Sequence, residues 1–336
     1  MEKLPTKRIV VVGGGTGTHT VLTGLKRFAD VFDLTAVVAM SDSGGSTGRL
    51  RDEFGYLPVG DVRMALAALA REDDAHDALL RKLFLHRFAT EGDIAGHNFG
   101  NLFLVALTDI LGTEEAAIEA ASRVLRVCGT VIPVTNECVH LVAEYSDGVR
   151  VVGEHAIDEP TLDRTPHTIT NLSLTPRALL NEKARAALLG ADLIVFGPGD
   201  LYTSVIANCI VDGFKEVIMQ TSARVLYVAN LMTRMGQTSG MGVAEHTEVL
   251  SRYIGRTPDF VLVNSTPFPA ELVRRYEAES EYPVLSNPEG LRAKVIQTDL
   301  LATEEIVRSK GDAVKRSLIR HDPHKLAEAI RSVLAG

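Results

Sequence analysis

Residues 10–26, VVVGGGTGTHTVLTGLK, decide the fold. A β-branched run passes directly into glycines and then into helical spacing, the pattern of a buried strand, a tight turn and a helix. In a parallel sheet such a turn lies beyond the carboxyl end of its strand. There the first amides of the helix face outward and favour an anion. The dinucleotide fingerprint G-x-G-x-x-G needs glycine at its last position, where Thr18 stands, so Gly13, Gly15 and Gly17 give GxGxG instead. Gly14, Gly15, Thr16 and Gly17 are therefore candidate phosphate contacts, with a ligand-free tight turn as the alternative. No Walker lysine follows, which argues against a P-loop NTPase.

Outward from this unit the same logic recurs. A strand at 34–40 runs into SDSGGSTGRLR (41–51), rich in glycine, small hydroxyls and arginine, which suits phosphate or sugar oxygens. Asp42, Ser43, Gly44, Gly45 and Arg49 are candidates here. Asp42 stands where an acid grips a ribose, and it equally suits Mg²⁺, which takes only one or two protein carboxylates, or a turn cap. With a helix starting near Leu50, Arg49 faces the ligand and Arg51 lies on a solvated face. Helices are expected at 18–29, at 61–70 with Asp61 near the N-cap, over 72–90, from near Asn101, and at 114–126. His97 and Asn98 sit between glycines in GHNFGN.

From 128 to 176 the period becomes alternating, with a turn at Ser146–Gly148, so an antiparallel excursion is expected there. Helical pattern follows at 177–189. ADLIVFGPGDLYTSV (191–205) is strand, glycine loop and helix again, and makes Gly197, Pro198 and Gly199 candidates for a second anion site. Strands are expected to end near Asn230 and Asn264, with a helix at 242–254, a strand at 294–298 and a helix at 323–335. The whole reads as one Rossmann-like, doubly wound α/β domain, residues 1–336, with a mostly parallel sheet and the antiparallel β excursion. Its unusual residues gather at one sheet edge.

Composition narrows the class. The net charge of -8 argues against a general nucleic-acid or membrane-surface binder. The N-terminus MEKLPTKRI has no signal-peptide apolar segment, and no stretch approaches the roughly 20 apolar residues of a membrane span. Cys128, Cys138 and Cys209 show no CxxC spacing and read as buried reduced thiols of a cytoplasmic protein. His321 and His324 read as a surface pair at a helix start rather than a zinc site. No nucleophile elbow is present.

VVVGGGTGTHTVLTGLK, DSGGSTGRLR, LPVGDVR, AGHNFGNLFLVAL, GPGDLYTSV, NLMT and DFVLVN stand in the order of the YvcK-like gluconeogenesis factors, which are related to the 2-phospho-L-lactate transferase CofD. The resemblance runs from about residue 8 to 266 and returns in RHDPHKLAEAI. It implies a cytosolic Rossmann-like protein that binds UDP-sugars and supports gluconeogenic growth, cell-wall synthesis and cell shape. It leaves the cell-wall partner unidentified, and the sequence leaves monomer and homo-oligomer open. The CofD branch implies the alternative, a Mg²⁺-dependent transferase using a nucleoside-diphosphate-activated donor, with Asp42 as candidate metal ligand. A nicotinamide oxidoreductase is a third reading, opposed by the broken fingerprint. The chain departs from the family pattern at Ser43, where a second acid is usual, at Met64, where Asn is usual, and at Asp200, where Ser is usual.

Overall fold

Ile9, Val10, Val11 and Val12 are all buried, and they make β1 (Lys7–Gly13) the middle of the sheet. Residues 6–89, 91–161, 164, 166–303 and 318–335 are described in this computed structural model. The segment MEKLP, part of the signal-peptide expectation, lies outside them. The chain continues through α1 (Gly15–Leu25), β2 (Phe32–Val38), α2 (Gly45–Phe54), α3 (Gly60–Leu69), α4 (Ala75–Leu85), α5 (Phe99–Leu111), α6 (Glu114–Val124) and β3 (Thr130–Pro133). Then come β4 (His140–Tyr145), β5 (Arg150–Val152), α7 (Glu154–Asp158), β6 (Ile169–Thr175), α8 (Glu182–Gly190) and β7 (Leu193–Phe196). A π-helical turn over Leu201–Ile206 leads into α9 (Ala207–Cys209) and α10 (Phe214–Gln220). The last elements are β8 (Arg224–Val228), α11 (Val243–Ile254), β9 (Phe260–Asn264), α12 (Ala270–Glu277), β10 (Lys294–Thr298) and α13 (Pro323–Ala335).

Seven strands form one parallel sheet in the order β10-β9-β8-β7-β1-β2-β3. Helices cover both faces, so central strands read as continuous apolar runs rather than alternations. Each fully buried side chain such as Ile9, Leu22 or Phe196 contributes about 1.5–3 kcal/mol by leaving water. From β1 the order runs one way to β2 and β3. From β7 it runs the other way to β8, β9 and β10. The switch in direction lies between β1 and β7, the place where open α/β sheets bind ligands.

Several expected boundaries shift. α1 starts at Gly15 rather than 18, and α2 at Gly45 rather than near Leu50. Both helices open on a glycine with positive φ, Gly15 at +59° and Gly45 at +47°, an angle glycine takes without the Cβ penalty in a short strand-to-helix turn. The helix expected over 72–90 is shorter, Ala75–Leu85, and starts where the Asp74 side chain accepts from the Asp77 amide. The antiparallel excursion is narrower than 128–176: Thr130–Pro133 pairs parallel with β2 as the edge of the main sheet. The separate three-stranded sheet is β5-β4-β6. Of the three cysteines only Cys209 is buried; Cys138 is exposed. His321 is buried too, with its ring held uncharged by that burial, so it is not half of a surface pair. Among the described residues, no helix is long and apolar enough to cross a membrane.

Candidate functional site

The two glycine loops flanking the switch point interlock. A Cβ on Gly17 would collide with the backbone nitrogen of Gly199 and the Pro198 carbonyl. A Cβ on Gly199 would press on the Gly14 carbonyl oxygen, 3.3 Å away, and on Ser204. Gly13 and Gly14 are crowded by Thr18 and Asp61. These four glycines are therefore required by the protein itself. Gly15 is different: its φ is +59°, and the nearest atom to an added Cβ is Ser204 Oγ at 3.7 Å. Gly45, with φ +47°, has nothing within 4 Å. The two open glycines are the first residues of α1 and α2. Neither preceding residue, Gly14 or Gly44, has a side chain to cap the helix. The exposed Thr16 follows in α1.

Carboxylates rim these helix ends. Asp61, in the first turn of α3, accepts from the Gly15 amide at 2.7 Å. Asp42, after β2, accepts from the Gly44 amide at 2.9 Å. Burial pushes the Asp61 carboxyl up to about 7, and the nearby Asp42 adds to the shift. Asp42 is raised by burial as well, against the pull of its Gly44 and Thr47 hydrogen bonds and of Arg63. Helix α7 brings a second acidic group to the same edge. Glu154 is pushed up to about 9 by burial and then by Asp42 and Asp158. Asp200 rises to about 7 by burial and then by Asp158. Arg234, after β8, binds Asp158 Oδ2 at 3.0 Å and Glu281 Oε1 at 3.1 Å. Gln237 donates to Asp158 Oδ1 at 3.1 Å. Ser43 faces this acidic helix: its Oγ accepts from the His155 amide at 3.0 Å.

On the other flank a buried polar network joins α2, α3 and α5. Asn101 Nδ2 lies 3.3 Å from both Ser46 Oγ and Thr47 Oγ1, and Asn101 Oδ1 accepts from Arg63 Nε at 2.8 Å. Ser46 Oγ is 3.2 Å from His97 Nδ1. Asn98 caps α5, accepting from the Asn101 amide and donating to the Leu85 carbonyl. GHNFGN thus organises the network, and its Asn98 is spent on capping. Arg49 is exposed and donates to the Ala95 carbonyl at 2.8 Å. Arg51, expected on a solvated face, is buried and donates to the Val139 carbonyl at 2.7 Å. The earlier start of α2 turns it inward.

Asn230 is brought to the site as a brace. Its Nδ2 donates to the Gly199 carbonyl at 2.8 Å, and its Oδ1 accepts from Tyr227 at 2.8 Å. Asn264 is not brought there: its amide is spent on Thr266 and on the Leu300 amide. Sequence reading missed Arg63, Asn101, Thr47, Glu154, Asp158 and Arg234. Arg63 stood two residues after Asp61 in the GDVR motif, a usable signal. Glu154 and Asp158 come to the edge only because the antiparallel sheet folds α7 back, and no local pattern announces that. Among the described residues no group of three His, Cys, Asp or Glu side chains is close enough to hold a metal ion. Asp42 with Asp61 fits only a water-rich divalent cation of the Mg²⁺ kind, whose charge would relieve their mutual repulsion. A separate cavity of about 390 Å³ lies between β6 and the segment Cys209–Glu216, lined also by Arg177, Arg252 and Tyr253. None of the residues singled out as site candidates lines it.

Known proteins resemble this chain in sequence and fold. The family model for 2-phospho-L-lactate transferase CofD matches residues 9–301. The chain is 40% identical to a putative gluconeogenesis factor of Thermotoga maritima over 97% of its length and 99% of that protein. It is 38% identical to the gluconeogenesis factor of Bacillus subtilis over 97% of its length and 98% of that protein. A crystal structure of a UPF0052 family member from Bacillus halodurans superposes with a TM-score of 0.87 at 35% identity, covering 98% of this chain and 99% of that one.

Proposed function

This chain belongs to the 2-phospho-L-lactate transferase CofD family, with gluconeogenesis factors as full-length relatives, and from that premise we propose that it is a nucleotide-sugar-binding factor. The diphosphate of a UDP-sugar lies across the switch point, at the amino end of α1, beside the Gly15 amide that Asp61 holds. The ribose or the sugar reaches the carboxylates of Asp42 and Asp61. The protein acts in the cytoplasm and, by binding rather than turnover, supports gluconeogenic growth, cell-wall synthesis and cell shape. The observation that carries the reading is the contrast among the glycines. Four are filled by the protein, whereas an added Cβ would meet nothing within 4 Å at Gly45 and only Ser204 Oγ, at 3.7 Å, at Gly15, both at helix starts whose preceding glycine has no capping side chain.

A second reading is favoured by the facing carboxylates Asp42 and Asp61: Mg²⁺-dependent transfer from a nucleoside-diphosphate-activated donor. A bound Mg²⁺ would offset the charge of a departing phosphate. Asp42 and Asp61 would hold it, while the helix amides would position the diphosphate.

A thermal-shift panel separates the readings. At about 100 times Kd a ligand adds roughly 2.7 kcal/mol, several degrees of melting temperature at most for a protein this large. UDP-glucose is expected to stabilise more than GDP or NADP⁺, with or without Mg²⁺. A shift that appears only with Mg²⁺ favours the transferase. An equal or larger shift with NADP⁺ favours the oxidoreductase and sinks the proposal.

A further inference from the structure

Arg49, Arg63 and Arg87 surround one short segment, residues 95–101, and each is tied to it by a single donor. Arg49 Nη2 donates to the Ala95 carbonyl at 2.8 Å, Arg87 Nη1 to the Gly96 carbonyl at 2.7 Å, and Arg63 Nε to Asn101 Oδ1 at 2.8 Å. All three acceptors are neutral. Among the described residues, none of the three guanidinium groups has a carboxylate within ion-pair reach. Some partly buried arginines differ, Arg81 pairing with Glu72 and Arg234 with both Asp158 and Glu281, whereas Arg51 and Arg224 also donate only to backbone carbonyls.

Arg63 makes the case. It is only 9% exposed, yet neither terminal nitrogen has a protein acceptor among the described residues, and neither is sealed from water. Arg87 is close enough to depress its charged form further, after burial. A buried cation with no carboxylate in contact costs stability, a cost that Arg87 raises and that the charges of Asp42 and Asp61 only partly offset. Gly100 keeps the arginine in place, since a Cβ there would press on Arg63 Cδ at 2.9 Å. The amino end of α5, Phe99–Leu111, opens at the same segment and adds its dipole to the positive field.

We propose that Arg49, Arg63 and Arg87 form a second anion subsite, distinct from the nucleotide seat at Gly15, that takes the phosphoryl group of a phosphorylated co-ligand. Three guanidinium groups offer forked donors to one dianion. Asp42 and Asp61, the two acids whose charges act on Arg63, are the same pair that rims the nucleotide seat, so the two anions would flank them. The inference goes beyond the nucleotide reading and stands without it.

Calorimetric titration with inorganic phosphate tests it, on the free protein and on protein saturated with UDP. Phosphate is expected to bind both with Kd values within about threefold. Arg87→Gln and Arg49→Gln, at exposed or half-buried positions that leave the fold intact, are expected to weaken phosphate at least tenfold while UDP affinity stays within threefold. Arg63→Lys, which keeps the charge and loses the fork, is expected to weaken phosphate as well. Displacement of phosphate by UDP would assign the arginines to the nucleotide seat and overturn the proposal. Variants that bind phosphate as the parent does would overturn it too. If UDP fails to bind at all, the nucleotide reading falls, and the titrations of free protein and variants still decide this one.

Discussion

Asp61 and the two arginines of α2 show what single residues do here. The Asp61 carboxyl, pushed up to about 7, binds its proton more tightly when folded than when unfolded. The folded state therefore carries the extra proton between about pH 4 and 7, and stability falls as pH rises through that window. Asp61→Asn keeps an oxygen for the Gly15 amide and removes the charge. We expect it to raise stability at pH 8 by about 1–2 kcal/mol, part of the shift being shared with Asp42, and to change little at pH 4. Denaturant melts at both pH values check this; a loss at pH 8 would contradict it. Arg51 is buried where its spacing suggests a solvated face, while Arg49 is exposed. Arg51→Ala leaves the Val139 carbonyl without its donor and is expected to cost about 1–3 kcal/mol of folding stability. Ligand affinity should be unchanged. Arg49→Ala should leave the melt unchanged and weaken anion binding, as titration on folded protein will read.

At the scale of elements, much of the architecture is legible because its signals are local. The β-branched run before Gly13 marks a central strand, and β10 and α13 fall where their periodicities place them. Helix starts are less legible, because Gly15 and Gly45 open their helices at left-handed φ that glycine adopts freely, and no apolar spacing marks them. Edge strand β3 falls within the stretch read as antiparallel, although it pairs parallel with β2. The interlocked loops give a direct comparison. Gly17→Ala drives a Cβ into the Gly199 backbone, which cannot yield as a side chain does, and should cost about 3 kcal/mol. Gly45→Ala meets open space and bears only the left-handed backbone penalty of about 1–2 kcal/mol. Equal losses in paired urea melts would contradict the interlock.

Across the whole molecule the candidate site is polarised. Arginines of α2, α3 and the segment before α5 stand on one flank, and carboxylates from α7, the β7 loop and the Glu281 segment stand on the other. The acidic flank was illegible in sequence because Asp158, Asp200 and Glu281 meet only after the antiparallel sheet folds back, with Arg234 between them. Arg234→Met leaves those carboxylates facing each other. Their protonation then becomes still more favourable on folding, so the variant's loss should be larger at pH 8 than at pH 5. A loss of equal size at both pH values would contradict the ledger of charges. The central claim is that the switch point between β1 and β7 seats a nucleotide diphosphate. Amide hydrogen exchange with and without saturating UDP-glucose tests it most directly. The account predicts added protection at residues 14–18 and 45–48, with none between Cys209 and Glu216. Protection confined to that second cavity, or no change at any of these amides, would contradict it.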